Sequence, residues 1–347
     1  MNYCEEKEAS KRFKQEYADG LEQLIALKQE EAARKRENYI KDIFARPEDY
    51  RNDFRSMLGW PLVGHTDNAP PRAESELLSE EEGYSVYRMR FTILDVVTVT
   101  GLFFKMATEE KRPLVIVQHG GLGTPELISG VYGDTANYND MLKRVIRHNV
   151  HAFAPQLMLW HDDYGVPFNR VNMDARLKRV GSSITAVEVH AISRILDYFE
   201  QEPYVSCFGM VGLSYGGFYT LFAAAADTRI RASISCSFFN KRDAEPWSDW
   251  TWFKSAETFD DAEIACLVWP RKIWLQMGQN DPLFKAEFSQ KAFERIREMC
   301  GQVGIDWVDF TVFEGVHEFS HDDKPIAEMV RLLELNQSNR QFFRRTP

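Results

Sequence analysis

The sequence predicts an α/β fold: a mostly parallel, doubly wound sheet flanked by helices, preceded by an N-terminal helical extension. Three observations carry this. From about residue 114 onward, short apolar runs alternate with longer amphipathic segments, as strand–helix units require. Leu114-Val115-Ile116-Val117 is a continuous apolar run of the kind buried on both faces of a parallel sheet. Around residue 84 the hydrophobic period changes from helical spacing to two.

Taken in order, residues 5–46 read as helix, with Leu21, Leu24, Ile25 and Leu27 recurring among Glu, Lys and Arg. Pro47 breaks it, and a second helix over 48–58 ends at Gly59 and Pro61. Residues 84–90 and 92–104 alternate and are rich in Val, Thr and Phe, which predicts a strand pair. The strand at 114–117 is followed by a helix over 136–148 and a strand over 150–154. A long amphipathic helix covers 180–200, then a strand 205–211, a turn at Ser214, a helix 216–226 and a strand 230–236. Residues 237–265 read as irregular and aromatic. The remainder reads as strand 273–277, helix 285–300, strand 306–313 and helix 324–336. We therefore expect a helical extension or cap over 1–80 and a catalytic domain over 81–347, with a lid-like aromatic insertion at 237–270.

Composition narrows the function. The 347 residues are 44% hydrophobic and 27% charged, with a formal net charge of -10, which suits a globular enzyme and argues against nucleic acid as a partner. No apolar run is long enough to span a membrane, and residues 1–12 lack the apolar core of a signal peptide. The five cysteines are scattered, without C-x-x-C spacing, which fits reduced thiols and a cytoplasmic location.

The strongest motif is Gly212-Leu213-Ser214-Tyr215-Gly216. G-x-S-x-G alone is a weak signal. Here an apolar strand precedes it and an Ala-rich helix follows, the context of a nucleophile elbow. Small residues two before and two after the serine let strand and helix approach. The turn presents the hydroxyl above the sheet at the positive end of a helix. Two further residues occupy loops just past strands: Asp281 after 273–277, and His317 after 306–313. A serine hydroxyl is a poor nucleophile at neutral pH. His317 can take its proton and return it to the leaving group, with Asp281 fixing the imidazole tautomer. Glycine-rich His119-Gly120-Gly121-Leu122-Gly123 follows strand 114–117 and can supply an oxyanion donor from Gly121, with the second from Tyr215. His119 is read as structural, since His317 fills the base role.

A competing reading is metal chemistry. His317-Glu318-Phe319-Ser320-His321 matches H-E-x-x-H, but Pro325 would cut any helix starting at His317 to about two turns, so no metal is expected. Trp247, Trp250 and Trp252 lie within six residues. Trp247 and Trp250, with Trp160 and His161 in another loop on the same side, are candidates to line the substrate pocket.

These segments resemble the α/β-hydrolase superfamily over about residues 84–336. Within it they are similar to the bacterial acetyl xylan esterase-like group, related to dienelactone hydrolases. Besides the elbow, the resemblance rests on three segments. They are Arg179-Val180-Gly181 leading into a helix that ends Leu196-Asp197-Tyr198, the run Asp227-Thr228-Arg229-Ile230-Arg231-Ala232, and Pro270-Arg271. It implies cofactor-free hydrolysis of a small carboxylic ester, such as an acylated sugar, by Ser214, Asp281 and His317. Glu188 departs from the pattern, standing where relatives often carry Asp. A peptidase of the same fold is the alternative, and assembly into a homo-oligomer is left open.

Overall fold

The structure, a computed structural model, describes residues 3–59, 69–94, 96–159, 168–244 and 247–343. Two helices open the chain, α1 (Lys7–Tyr39) and α2 (Pro47–Leu58). Pro47 at the first turn of α2 and left-handed Gly59 at its end mark the boundaries read from the sequence.

Three strands follow, β1 (Arg72–Glu81), β2 (Tyr84–Leu94) and β3 (Val97–Met106), all antiparallel to their neighbours. The predicted pair is present, but it divides between Leu94 and Val97 rather than at Phe91. Phe91 is fully buried against Phe153 and Tyr198, so it belongs to a strand and not to a turn. Strand β1 was not anticipated. Its sequence RAESELLSEE has no alternation, because it is an edge strand with almost every residue exposed. Pairing with β2 forms it, not its own hydrophobicity.

The α/β part comprises β4 (Arg112–Gln118), α3 (Pro125–Ser129), α4 (Met141–Ile146), β5 (His151–Pro155), α5 (Arg170–Arg179), α6 (Ile184–Gln201) and β6 (Val205–Leu213). It continues with α7 (Tyr215–Ala226), β7 (Ile230–Cys236), α8 (Asp261–Cys266), β8 (Lys272–Gly278), α9 (Ala286–Met299), β9 (Val308–Phe313) and α10 (Lys324–Phe343). The helix expected over 136–148 is shorter, covering only α4 after a single 3-10 turn. Polar α5 escaped the periodicity reading.

The sheet order is β1-β2-β3-β5-β4-β6-β7-β8-β9, and β5 to β9 run parallel with β4 among them. Successive residues of β4 feed opposite faces, as the pleat demands. Leu114 and Ile116 pack with α2, α6 and α7, while Val115 and Val117 pack with α4 and α10. Because β5 lies on one side of β4 and β6 on the other, the strand order reverses between β4 and β6. A crevice opens there beyond the carboxyl ends, where ligands bind in open α/β sheets. Gln118 ends β4 opposite Gly212 of β6, so the Gly120-Gly121 loop and Ser214 flank that crevice.

Candidate active site

Ser214 links β6 to α7 with φ 59° and ψ −121°, a conformation that costs a non-glycine residue of order 1–3 kcal/mol and persists only where its surroundings hold it. Its N–H donates to Cys236 O at 2.9 Å. The flanking glycines are required by contact. A Cβ on Gly212 would sit 2.3 Å from the Gly216 carbonyl carbon, and one on Gly216 would sit 2.1 Å from Gln118 O. Any larger residue would push α7 off the sheet.

The acid loop after β8 and the histidine loop after β9 are sewn together by backbone bonds. Gln279 N–H donates to Phe313 O at 2.8 Å and Asn280 N–H to Gly315 O at 2.9 Å. Asp281 has a fully buried side chain. Its Oδ1 accepts from the N–H groups of Leu283 (2.8 Å) and Phe284 (3.0 Å), and its Oδ2 meets His317 Nδ1 at 2.8 Å. With Oδ2 accepting, Nδ1 carries the proton and Nε2 is left as the basic nitrogen.

Other loops hold His317 at the crevice. Asn137 donates through Nδ2 to His317 O, and its own carbonyl accepts from Phe319 N–H, both at 2.9 Å. Asn139 Nδ2 donates to Phe319 O at 2.7 Å. Ser237 Oγ donates to Glu318 O at 3.2 Å, one residue from the carbonyl that receives Ser214 N–H. The sequence reading missed Asn137 and Asn139. Asn139 has φ 49°, a conformation Asn tolerates better than most residues, but nothing local signals its long-range contacts.

The glycine loop is set by two buried side chains. Tyr138 Oη accepts from Gly120 N–H at 2.8 Å. His119 is fully buried, and burial holds its pKa down at about 4. Its Nε2 accepts from Leu157 N–H at 2.9 Å, so Nδ1 bears the proton and donates to Gly120 O at 2.9 Å. In a trans peptide the N–H of Gly121 points opposite to that carbonyl. Gly120 lies against the Ser214 turn, since a Cβ there would be 3.0 Å from Ser214 Cβ. Tyr215 opens α7, at the positive end of its dipole.

Beside the turn lies a cavity of ≈ 530 Å³ lined by Phe168, Arg170, Tyr215, Trp247 and Asp249 among others. Arg170, unflagged by the sequence, is its buried anchor. It donates to Asp249 Oδ2 (2.7 Å), Glu188 Oε2 (2.9 Å), Tyr219 Oη (2.7 Å) and Met158 O (2.8 Å). Tyr215 Oη donates to the same Asp249 oxygen at 2.9 Å, tying the residue after the serine to the aromatic segment. Trp247 is half-buried on this cavity. Trp250 is 1% exposed, stacked on Trp247 at 4.5 Å and on Phe218 at 5.2 Å. It offers a ligand no face, and the expectation that it lines the pocket gives way to a packing role behind Trp247. Trp160 and His161 lie outside the described residues.

The HEFSH segment is loop, not helix. His317 is engaged by Asp281, and His321 is exposed beside Glu318 at 3.5 Å. The two imidazoles therefore do not share a helix face as a zinc protease site needs. Among the described residues no group of three His, Cys, Asp or Glu side chains could hold a metal.

No family model matches the chain, and no curated protein matches it in sequence. Solved structures do. A Bacteroides fragilis protein assigned to the acetyl xylan esterases superposes with a TM-score of 0.63 at 15% identity, covering 84% of this chain and 82% of that one. Acetyl xylan esterase 1 from Thermoanaerobacterium sp. gives 0.56 at 16% identity, covering 84% and 93%. A glucuronoyl esterase from Solibacter usitatus gives 0.58 at 12%, covering 83% and 91%. The chain has the α/β-hydrolase fold. The fold expected from the sequence is thereby borne out. At these identities the likeness speaks to architecture, and the chemistry must be argued from the residues.

Proposed function

We propose that this protein is a serine hydrolase that cleaves carboxylic esters through an acyl-enzyme. The observation that carries the reading is the 2.8 Å His317–Asp281 bond, formed between loops at adjacent strand ends, taken together with the strained Ser214 turn at the end of β6. In this mechanism Ser214 Oγ attacks the ester carbonyl while His317 Nε2 takes its proton. Asp281 stabilises the imidazolium that results. The negative charge that grows on the carbonyl oxygen meets the N–H groups of Gly121 and Tyr215, aided by the α7 dipole. Losing one such donor typically costs roughly 3 kcal/mol of transition-state stabilisation. The imidazolium returns its proton to the departing alcohol. Water activated by the same nitrogen then releases the acid and restores Ser214.

The half-buried Trp247 and the cavity between Arg170 and Tyr215 suit a small acyl ester whose alcohol part can lie on an aromatic ring, such as an acylated sugar. Neighbours described as acetyl xylan and glucuronoyl esterases support that substrate class. We assign residues 1–80 to the helical extension, 81–347 to the catalytic domain and 237–270 to an insertion over the site. No cofactor enters the chemistry.

The test is p-nitrophenyl acetate hydrolysis by the intact chain and by Ser214→Ala, with fluorophosphonate labelling and peptide mapping. We expect labelling at Ser214 and a variant at background rate. Equal rates in the two proteins, or label on another residue, would remove Ser214 from the mechanism.

A further inference from the structure

Helix α1 holds an unused surface. Its carboxyl end grips the body: Ala32 is buried, Arg36 Nη1 donates to Ala256 O at 2.8 Å, and Tyr39 packs edge-on against Phe259 at 5.6 Å. Residues 10–30 are all exposed. At 1.5 Å per residue they form an overhang of about 30 Å. Most helical stability in proteins comes from packing an apolar face, and besides Leu21 and Ile25 this overhang exposes Phe13, Tyr17, Leu24 and Leu27 at 54%, 72%, 51% and 63%.

Those four side chains are not scattered. Positions 13, 17, 20, 24, 27 and 31 alternate in steps of four and three, the a/d seam of a heptad repeat. Phe13, Gly20 and Leu27 take d, and Tyr17, Leu24 and Glu31 take a. The groups gripping the body lie roughly a quarter-turn round the helix from this seam, so the seam is open. Gly20 is unexplained by the chain alone. A glycine inside a helix costs about 1 kcal/mol relative to alanine, yet nothing lies within 4 Å of where its Cβ would be. At a seam, its missing side chain lets two backbones approach.

We infer that α1 associates with α1 of a second copy of this chain as a parallel two-stranded coiled coil. The flanking charges select both partner and direction. The g positions are Glu16, Gln23 and Glu30, and the e positions are Lys14, Leu21, Lys28 and Lys35. Parallel pairing sets Glu16 against Leu21, Gln23 against Lys28 and Glu30 against Lys35 of the second copy, and it opposes like charges only at Glu31, whose carboxylate is paired by Lys28 and Lys35 of its own helix at 2.7 and 3.0 Å. Antiparallel pairing sets Glu16 against Glu30 and Lys14 against Lys28, two repulsive contacts. A membrane surface fits less well: residues 7–30 carry five basic and five acidic side chains, whereas helices that lie on anionic lipid have a basic polar face.

The test uses the full chain in light scattering coupled to size exclusion, over a range of concentrations. The expected result is a concentration-dependent dimer. Leu24→Glu at the seam should raise its Kd at least about tenfold, and Ile25→Glu, off the seam, should leave it unchanged. Circular dichroism checks that each variant folds. In a Cys4→Ser background, Leu24→Cys should cross-link to itself under mild oxidation. A monomer at every concentration overturns the inference, as does a dimer indifferent to Leu24→Glu. Cross-linking only between Gly20→Cys and Leu24→Cys chains overturns the parallel direction. Flotation of monomeric chain with phosphatidylglycerol vesicles assigns the stripe to lipid instead. No outcome depends on the esterase chemistry.

Discussion

Replacing Asp281 with Asn tests the proposed mechanism at a point where the structure fixes the outcome. Asp281 Oδ1 accepts from two backbone N–H groups, Leu283 and Phe284, and Oδ2 faces His317 Nδ1 at 2.8 Å. An asparagine has one oxygen and one NH2 to distribute. Turning the NH2 toward the two N–H groups would oppose donors in a buried site, at roughly 1–3 kcal/mol for each unsatisfied group. The oxygen must therefore take the Oδ1 place, which presents the NH2 to His317 Nδ1. That nitrogen then has to accept, so the proton moves to Nε2, and His317 can no longer take a proton from Ser214. The same tautomer reversal in a serine protease lowers kcat by about 10⁴, equal to about 5.5 kcal/mol of barrier. We expect a loss of that order in kcat for p-nitrophenyl acetate. KM should change little, and the melting temperature should shift by under about 3 °C, because both backbone bonds survive. A variant that keeps a tenth or more of wild-type kcat while folded would refute the claim that Asp281 sets the tautomer.

Further outcomes follow from the same geometry. His119→Ala releases the Gly120 carbonyl, so Gly121 N–H loses its orientation; kcat should fall about 10²-fold with KM nearly constant, whereas a change in KM alone would argue against an oxyanion role. Trp250→Ala opens a hole in the aromatic core and should cost about 3–5 kcal/mol in urea unfolding. Trp247→Ala should cost much less and instead raise KM for bulky esters, and the reverse pattern would place Trp250 at the substrate. His119 and His151 are both held at about 4 by burial, against about 6.5 when unfolded. Below 6.5 the unfolded chain binds protons that the folded chain refuses, so stability is full above that pH and is lost as pH falls toward 4, by up to about 3 kcal/mol for each. Asp261, pushed up to about 7 chiefly by its burial, works in the opposite sense, because its ionisation above 3.8 is penalised only in the fold. Asp261→Asn should therefore steepen the rise in urea midpoint between pH 4 and 7, and an unchanged slope would refute that account.

Much of the core fold was legible because its signal is local. The run at 114–117 is buried on both faces, so it had to be apolar throughout, and 205–211 and 230–236 are buried except at Ser206 and Arg231 near their starts. Gly212 and Gly216 sit where a Cβ would strike backbone 2.3 and 2.1 Å away, so the elbow had to be written as glycine. Strand β1 left no such mark, since one neighbour and solvent impose no pattern on an edge.

The sequence by itself determined the order serine, acid, histidine and the placement of each just past a strand, because chain order and strand periodicity are one-dimensional properties. Only the tertiary structure decided which loops close around them. Asn137 reaches His317 across 180 residues, and Arg170 joins Asp249, Glu188 and Tyr219 from three separate segments. It also decided that Trp250 is enclosed while Trp247 faces the cavity, although the two lie three residues apart in one aromatic run. Burial of a ring depends on what the rest of the chain packs against it, and no local pattern carries that information.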